Sequence, residues 1–204
     1  MEMIFYLIVI IFSIIIHEVA HGWAALKLGD DTALRLGRLT LNPIPHIDPF
    51  GSIILPFFLW FTAMMTGSTP ILFGWAKPVP YNPFNLKNPR RDSALLALAG
   101  PAANLTLALI FGLIIRFAHF WPLLLKTLPF LTIIVIMNLV LGLFNLLPIP
   151  PLDGSKILFY FINDVKVEAL FERYGFAFLI IFLVFGSRFL SLPIYYLFHL
   201  ITGF

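Results

Sequence analysis

Fourteen mostly apolar residues, Met3 to Ile16, run straight into His17-Glu18-Val19-Ala20-His21, and Gly29 offers the first natural stop after Leu28. A run of that length can cross a bilayer. Lipid offers no hydrogen-bond partners, so a crossing segment must satisfy its own backbone, which here means an α-helix. Residues four apart share one helix face. His17 and His21 can therefore grip one metal ion, with Glu18 beside them. The motif lies at membrane depth, where ionisable groups are costly unless a partner or a metal offsets them.

The rest of the chain agrees with a membrane setting. Of 204 residues, 60% are hydrophobic and 11% charged, more apolar surface than a water-soluble domain of this size can hide. We expect an all-α polytopic membrane protein forming one membrane-embedded domain over 1–204. Its catalytic core covers about 3–160 and its C-terminal membrane region about 174–204. The net charge of +3 comes from Lys and Arg gathered in a few connectors, which suits orientation in the lipid bilayer rather than nucleic-acid binding. The absence of cysteine excludes disulfides, Cys-based zinc sites and thiol catalysis. Glu2 stands where a leader would be basic, and no small-residue cleavage site follows, so the first segment reads as a span.

Two further spans are expected, from Ser93 to about Phe117 and from about Leu128 to Leu147. The connectors at 27–49, 74–92 and 153–173 are rich in Lys and Arg and belong inside, whereas 118–127 holds only His119 and Lys126 and belongs outside. Basic connectors flank residues 50–69 on both sides. That segment therefore reads as a re-entrant or surface-lying hairpin within 50–85, turning at Pro56 or Gly67, rather than a crossing. Phe73 to Pro83 is proline-rich and reads as extended. The region after Tyr174 is apolar but interrupted by Gly186, Arg188 and Pro193, giving one kinked helix or two short ones.

A catalytic zinc site usually has three protein ligands and an open position. The candidates for the third are His46, Asp48, Asp92, His119, Asp153 and His199. Topology ranks Asp153 first, because the HEVAH motif and Asp153 both fall at inner ends of spans. His46 and Asp48, on the same side, are the runners-up. Glu18 and Asp153 bring two negative charges that a divalent cation cancels. A lone carboxylate at that depth costs roughly 2.5–3.5 kcal/mol. Nitrogen and carboxylate donors suit Zn²⁺, one per chain. Glu18 would then take a proton from water and pass it to a leaving amine. Asn104 and Asn145 fall at the same level. They can hold substrate backbone or an oxyanion, or serve as hydrogen-bonding groups between helices.

Three segments together resemble the site-2 protease family of intramembrane metalloproteases. They are His17-Glu18-Val19-Ala20-His21, Gly100-Pro101-Ala102-Ala103-Asn104, and the run from Asn145 through Pro148-Ile149-Pro150-Pro151-Leu152 to Asp153-Gly154. Phe73 to Pro80 is similar to a segment of short bacterial and archaeal members, without a PDZ or nucleotide-sensing domain. The resemblance implies zinc held by His17, His21 and Asp153, Glu18 as catalytic acid/base, and Asn104 and Asn145 near the substrate. It implies cleavage of membrane-spanning helices of other proteins, in a prokaryotic cell membrane, with the site toward the cytoplasm. Residues 73–81 could add a strand beside an unwound substrate. The rival readings are a divalent-metal transporter using the same ligands and an inactive scaffold that binds membrane helices. A transporter needs polar residues across the whole membrane, and a scaffold has no need of Glu18.

Overall fold

The computed structural model describes residues 2–66, 76–162 and 164–203. Helix α1, Glu2–Lys27, carries the HEVAH motif in its second half. It ends where Gly29 takes a positive φ of 108°, a conformation glycine adopts without penalty. A single turn, α2 (Thr32–Arg35), follows. A π-helical turn at Pro49–Ile54 leads directly into α3, Leu55–Thr66.

Helix α4, Pro89–Phe117, opens four residues before the expected span. Asn88 caps it through Arg91 N–H, and Pro89 sits where a helix needs no amide donor. A short turn, α5 (Pro122–Leu125), precedes α6, Leu128–Asn145. Beyond the proline turn comes α7, Asp153–Phe161. The charged stretch expected as a connector instead forms the first turns of α8, Val165–Ile181. The reason is local: the Asp164 carboxylate caps Lys166 N–H and Val167 N–H and starts the helix there. A π-helical turn, Phe182–Gly186, separates α8 from α9, Ser187–Thr202, so the C-terminal region is two helices.

Among the described residues, five helical stretches are long and apolar enough to cross a membrane: 4–27, 49–66, 89–117, 128–145 and 165–186. The chain is an all-α, multi-pass membrane protein, with no strand among the described residues. α4 lies at the centre, packed against α1, α6, α7 and α9. Ala108, Ile115, Val135 and Leu139 form the buried apolar core, with Leu197 and Ile201 of α9 against it.

The 50–85 excursion resolves in part. The helix begun at Pro49 passes Pro56 without turning, so the hairpin does not fold there. Gly67 and Phe73 to Trp75 fall outside the described residues. Yet Lys77 N–H donates to the His46 carbonyl at 2.9 Å. The two flanks of this segment, at His46 and Lys77, thus meet.

Candidate metal centre

The cluster begins with helix spacing. His17 and His21 stand one turn apart on α1, with ring centroids 4.6 Å apart and edge to face. Both are buried against α4, where Gly100 gives them room: a Cβ there would lie 2.4 Å from His21 Nε2 and 2.6 Å from His17 Nε2. His21 Nδ1 lies 2.7 Å from the Leu96 carbonyl, which can only accept. Its proton is therefore on Nδ1 and its lone pair on Nε2. His17 Nδ1 meets Asn104 Oδ1 at 2.6 Å.

Asp153 arrives from the other side as the first residue of α7. The proline turn is stapled to α7 by Ser155, whose N–H and hydroxyl both donate to the Leu152 carbonyl. Gly154 fits against the last carbonyls of the α6 end, where a Cβ would lie 2.2 Å from Leu146 O. This packing sets Asp153 Oδ2 3.0 Å from His17 Nε2 and 3.1 Å from His21 Nε2, while the two Nε2 atoms are 3.0 Å apart. Burial alone would raise the Asp153 carboxyl. Hydrogen bonding to His17 and His21, and their charge when protonated, outweighs it and holds the group below the ordinary carboxylate range.

The donor set fits a metal. Three electron-pair donors at these distances repel unless a cation lies among them. Nitrogen and oxygen ligands about 2.0–2.1 Å from a tetrahedral zinc stand roughly 3.3 Å apart, near the spacing observed. Among the described residues, His17, His21 and Asp153 are the group able to hold an ion in this way.

The cluster opens into a cavity of about 400 Å³ that Glu18, Asn145 and Lys156 also line. Residues 78–81 form one wall as an extended strap. Glu18 Oε2 accepts from Val79 N–H at 2.8 Å. The Lys156 amine lies 5.2 Å from the centre of the Tyr81 ring, which joins strap to α7. Arg38 Nη2 donates to the carbonyls of Lys77 and Pro78 at 2.9 and 3.1 Å. At the far end, buried Asp30 accepts from Asn82 N–H and Asn85 Nδ2, each at 2.7 Å, and from Thr32. Burial works to raise the Asp30 carboxyl, but these hydrogen bonds prevail and lower it.

Other sequence candidates lie elsewhere. Asn104 is fully buried, and its amide is spent on His17 Nδ1, the Ser13 carbonyl and Asn138 Oδ1, so it does not face the cavity. Depth alone had suggested contact with substrate; packing turns the amide inward. Asn145 does line the cavity, with one amide hydrogen donated to Leu141 O. His46 Nε2 donates to the Thr40 carbonyl, and Asp48 caps the π-helical turn through Gly51 N–H. Asp92 accepts from Asn88 N–H at the start of α4. His199 packs on Tyr195 in the last turn of α9, and His119 falls in the turn beyond α4. His46, Asp48, Asp92 and His199 thus stay outside the cluster. Sequence reasoning missed Ser13 and Asn138. Their signal was a lone polar residue in an apolar run, Ser13 lying one turn before His17 on the same face.

The profile of peptidase family M50 matches residues 123–185, which carry Asn145 and Asp153 but not HEVAH. The chain is 45% identical over 157 residues to the protein named "Putative zinc metalloprotease YwhC" of Bacillus subtilis, covering 74% of this chain and 66% of that one. The chain belongs to peptidase family M50. A further relative, "Putative zinc metalloprotease Rip2" of Mycolicibacterium smegmatis, is 34% identical over 180 residues, 84% of this chain and 63% of that one. "Zinc metalloprotease MJ0392" of Methanocaldococcus jannaschii is 23% identical over 186 residues, 88% of this chain and 42% of its own. The M50 chain thus spans just under two thirds of the first two relatives. No solved structure gives a significant match.

Proposed function

We propose that this M50 chain is a zinc endopeptidase that cleaves peptide bonds within or beside the membrane-spanning segments of other proteins. One observation carries the reading: His17 Nε2, His21 Nε2 and Asp153 Oδ2 converge at about 3 Å on the wall of a cavity that also holds the Glu18 carboxylate. These three residues would hold one Zn²⁺, leaving a side open to the cavity. A bound zinc lowers the pKa of water toward about 7 and polarises a carbonyl.

The chain's own groups do the rest. Val79 N–H holds Glu18 Oε2 and so orients the carboxylate, leaving Oε1 to take a proton from the attacking water. Glu18 then delivers that proton to the amide nitrogen as the C–N bond breaks and the water oxygen becomes part of the new carboxylate. Asn145, through its second amide hydrogen, and the Lys156 amine line the cavity and would stabilise charge on the carbonyl oxygen. A substrate helix shields its carbonyls in its own hydrogen bonds and must unwind. The Lys77 and Val79 N–H groups of the strap are already engaged, so an unwound stretch would pair with its remaining backbone at 79–81.

The basic connectors orient the chain with this site toward the cytoplasmic face of a cell membrane. A transport role finds no support, because beyond the Ser13–Asn104–Asn138 layer the helices close through Ala108, Ile115, Val135 and Leu139. The test is co-expression with candidate single-span proteins. Wild type should cleave at least one, and neither Glu18→Gln nor Asp153→Asn should. Undiminished cleavage by Glu18→Gln rules the mechanism out.

A further inference from the structure

Ser13 and Asn138 lie on the side of His17 away from the cavity, 4% and 1% exposed, where an unpaired polar group is costly. Their hydrogen bonds have a determined direction. The Ile134 carbonyl can only accept, so Asn138 turns its NH₂ there at 2.9 Å and to Ser13 Oγ at 3.0 Å. Asn138 Oδ1 is then left for Asn104 Nδ2, at 2.8 Å. The Ser13 carbonyl, again only an acceptor, takes the same Asn104 NH₂ at 3.1 Å. Asn104 Oδ1 must therefore face His17 Nδ1, and the imidazole proton must sit on Nδ1. His17 Nε2 keeps its lone pair, aimed at the point shared with His21 Nε2 and Asp153 Oδ2.

We infer that Asn138 is a positioning residue for metal binding, acting through Asn104 to lock His17 in the tautomer that leaves Nε2 free as a ligand. This rests on the reading of His17 as a metal ligand. Two acceptors, Ser13 O and Asn138 Oδ1, oppose rotation of the Asn104 amide, since a flip would set three oxygens against one another. Removing Asn138 halves that opposition. The flipped amide would offer His17 a donor and draw its proton to Nε2, the atom that has to bind metal. Outer partners of metal-bound histidines set tautomer and ring orientation in this way.

The test is a double-mutant cycle in zinc affinity, measured by chelator competition on the full chain in detergent. Asn104→Leu should weaken zinc binding about 10–100-fold, the usual effect of losing such a partner. Asn138→Leu should weaken it about tenfold. The double variant should bind no more weakly than Asn104→Leu, because the two act in series. Multiplying losses, or unchanged affinity in Asn138→Leu, overturns the inference. If Asn138→Leu fails to fold, ¹⁵N NMR of the wild-type imidazoles decides: His17 should carry its proton on Nδ1 without zinc as well as with it. A proton on Nε2 in the zinc-free chain overturns the inference too. A wild type that binds no zinc sinks the ligand reading together with this one. Zinc binding that ignores Asn138 sinks this one alone.

Discussion

Replacing Gly100 by alanine tests the packing of the cluster with one methyl group. In a helix interior the change should be favourable by about 1 kcal/mol. Here the methyl would lie 2.4 Å from His21 Nε2 and 2.6 Å from His17 Nε2. Carbon contacts are comfortable near 3.5 Å, so both rings must retreat by about 1 Å. Their retreat is opposed, because His17 is held by Asn104 at 2.6 Å and His21 by Leu96 O at 2.7 Å. Breaking each buried hydrogen bond costs about 1–3 kcal/mol, so two broken bonds less the helix gain leave a net loss of about 1–5 kcal/mol. Metal sites tolerate shifts of about 0.2 Å, so a 1 Å displacement should lower zinc affinity well over tenfold. Chelator competition and thermal unfolding in detergent read both effects. Wild-type zinc affinity together with a raised melting temperature would refute the reasoning, because helix propensity alone would then have acted.

Three further outcomes follow from the same geometry. Asp30→Asn should destabilise the fold by about 1–3 kcal/mol at neutral pH, because one carboxylate serves Thr32, Asn82 and Asn85. The Asp30 carboxyl is lowered on folding, so its contribution is present above the ordinary carboxylate range and is lost as pH falls through the folded value. Wild type and variant should therefore converge in acid when unfolding is followed against pH. Val79→Pro removes the N–H that holds Glu18 and should cut cleavage at least about tenfold with zinc retained, while Val79→Ala keeps the donor and should cleave normally. Gly154→Ala would press a methyl to 2.2 Å from Leu146 O, a backbone atom that cannot step aside. It should cost about 1–3 kcal/mol in stability, seen in the melting temperature, and displace Asp153 enough to reduce zinc content.

The three central helices were legible because long apolar runs leave few options in lipid, and α1, α4 and α6 fall where those runs lie. The meeting of the two flanks at His46 and Lys77 agrees with their shared basic charge. The meeting of His17, His21 and Asp153 could be read because helix spacing joins the first two and a shared depth adds the third. Depth was not enough for Asn104. Which way an amide turns depends on acceptors from other helices, here Ser13 O and Asn138 Oδ1, and no local pattern reports them. The start of α8 was hidden for a related reason. Lys166, Glu168 and Glu172 read as a connector, yet a capped helix carries charges readily on its solvated turns.

Glu18→Gln separates metal binding from proton transfer, because the amide keeps the shape of the side chain and loses its basicity. Purified wild type and Glu18→Gln should hold equal zinc, measured by elemental analysis. In the same preparations only wild type should cleave a reconstituted single-span substrate. Cleavage by zinc-loaded Glu18→Gln at the wild-type rate would contradict Glu18 as the base and the reading of this site as a peptidase centre built around it.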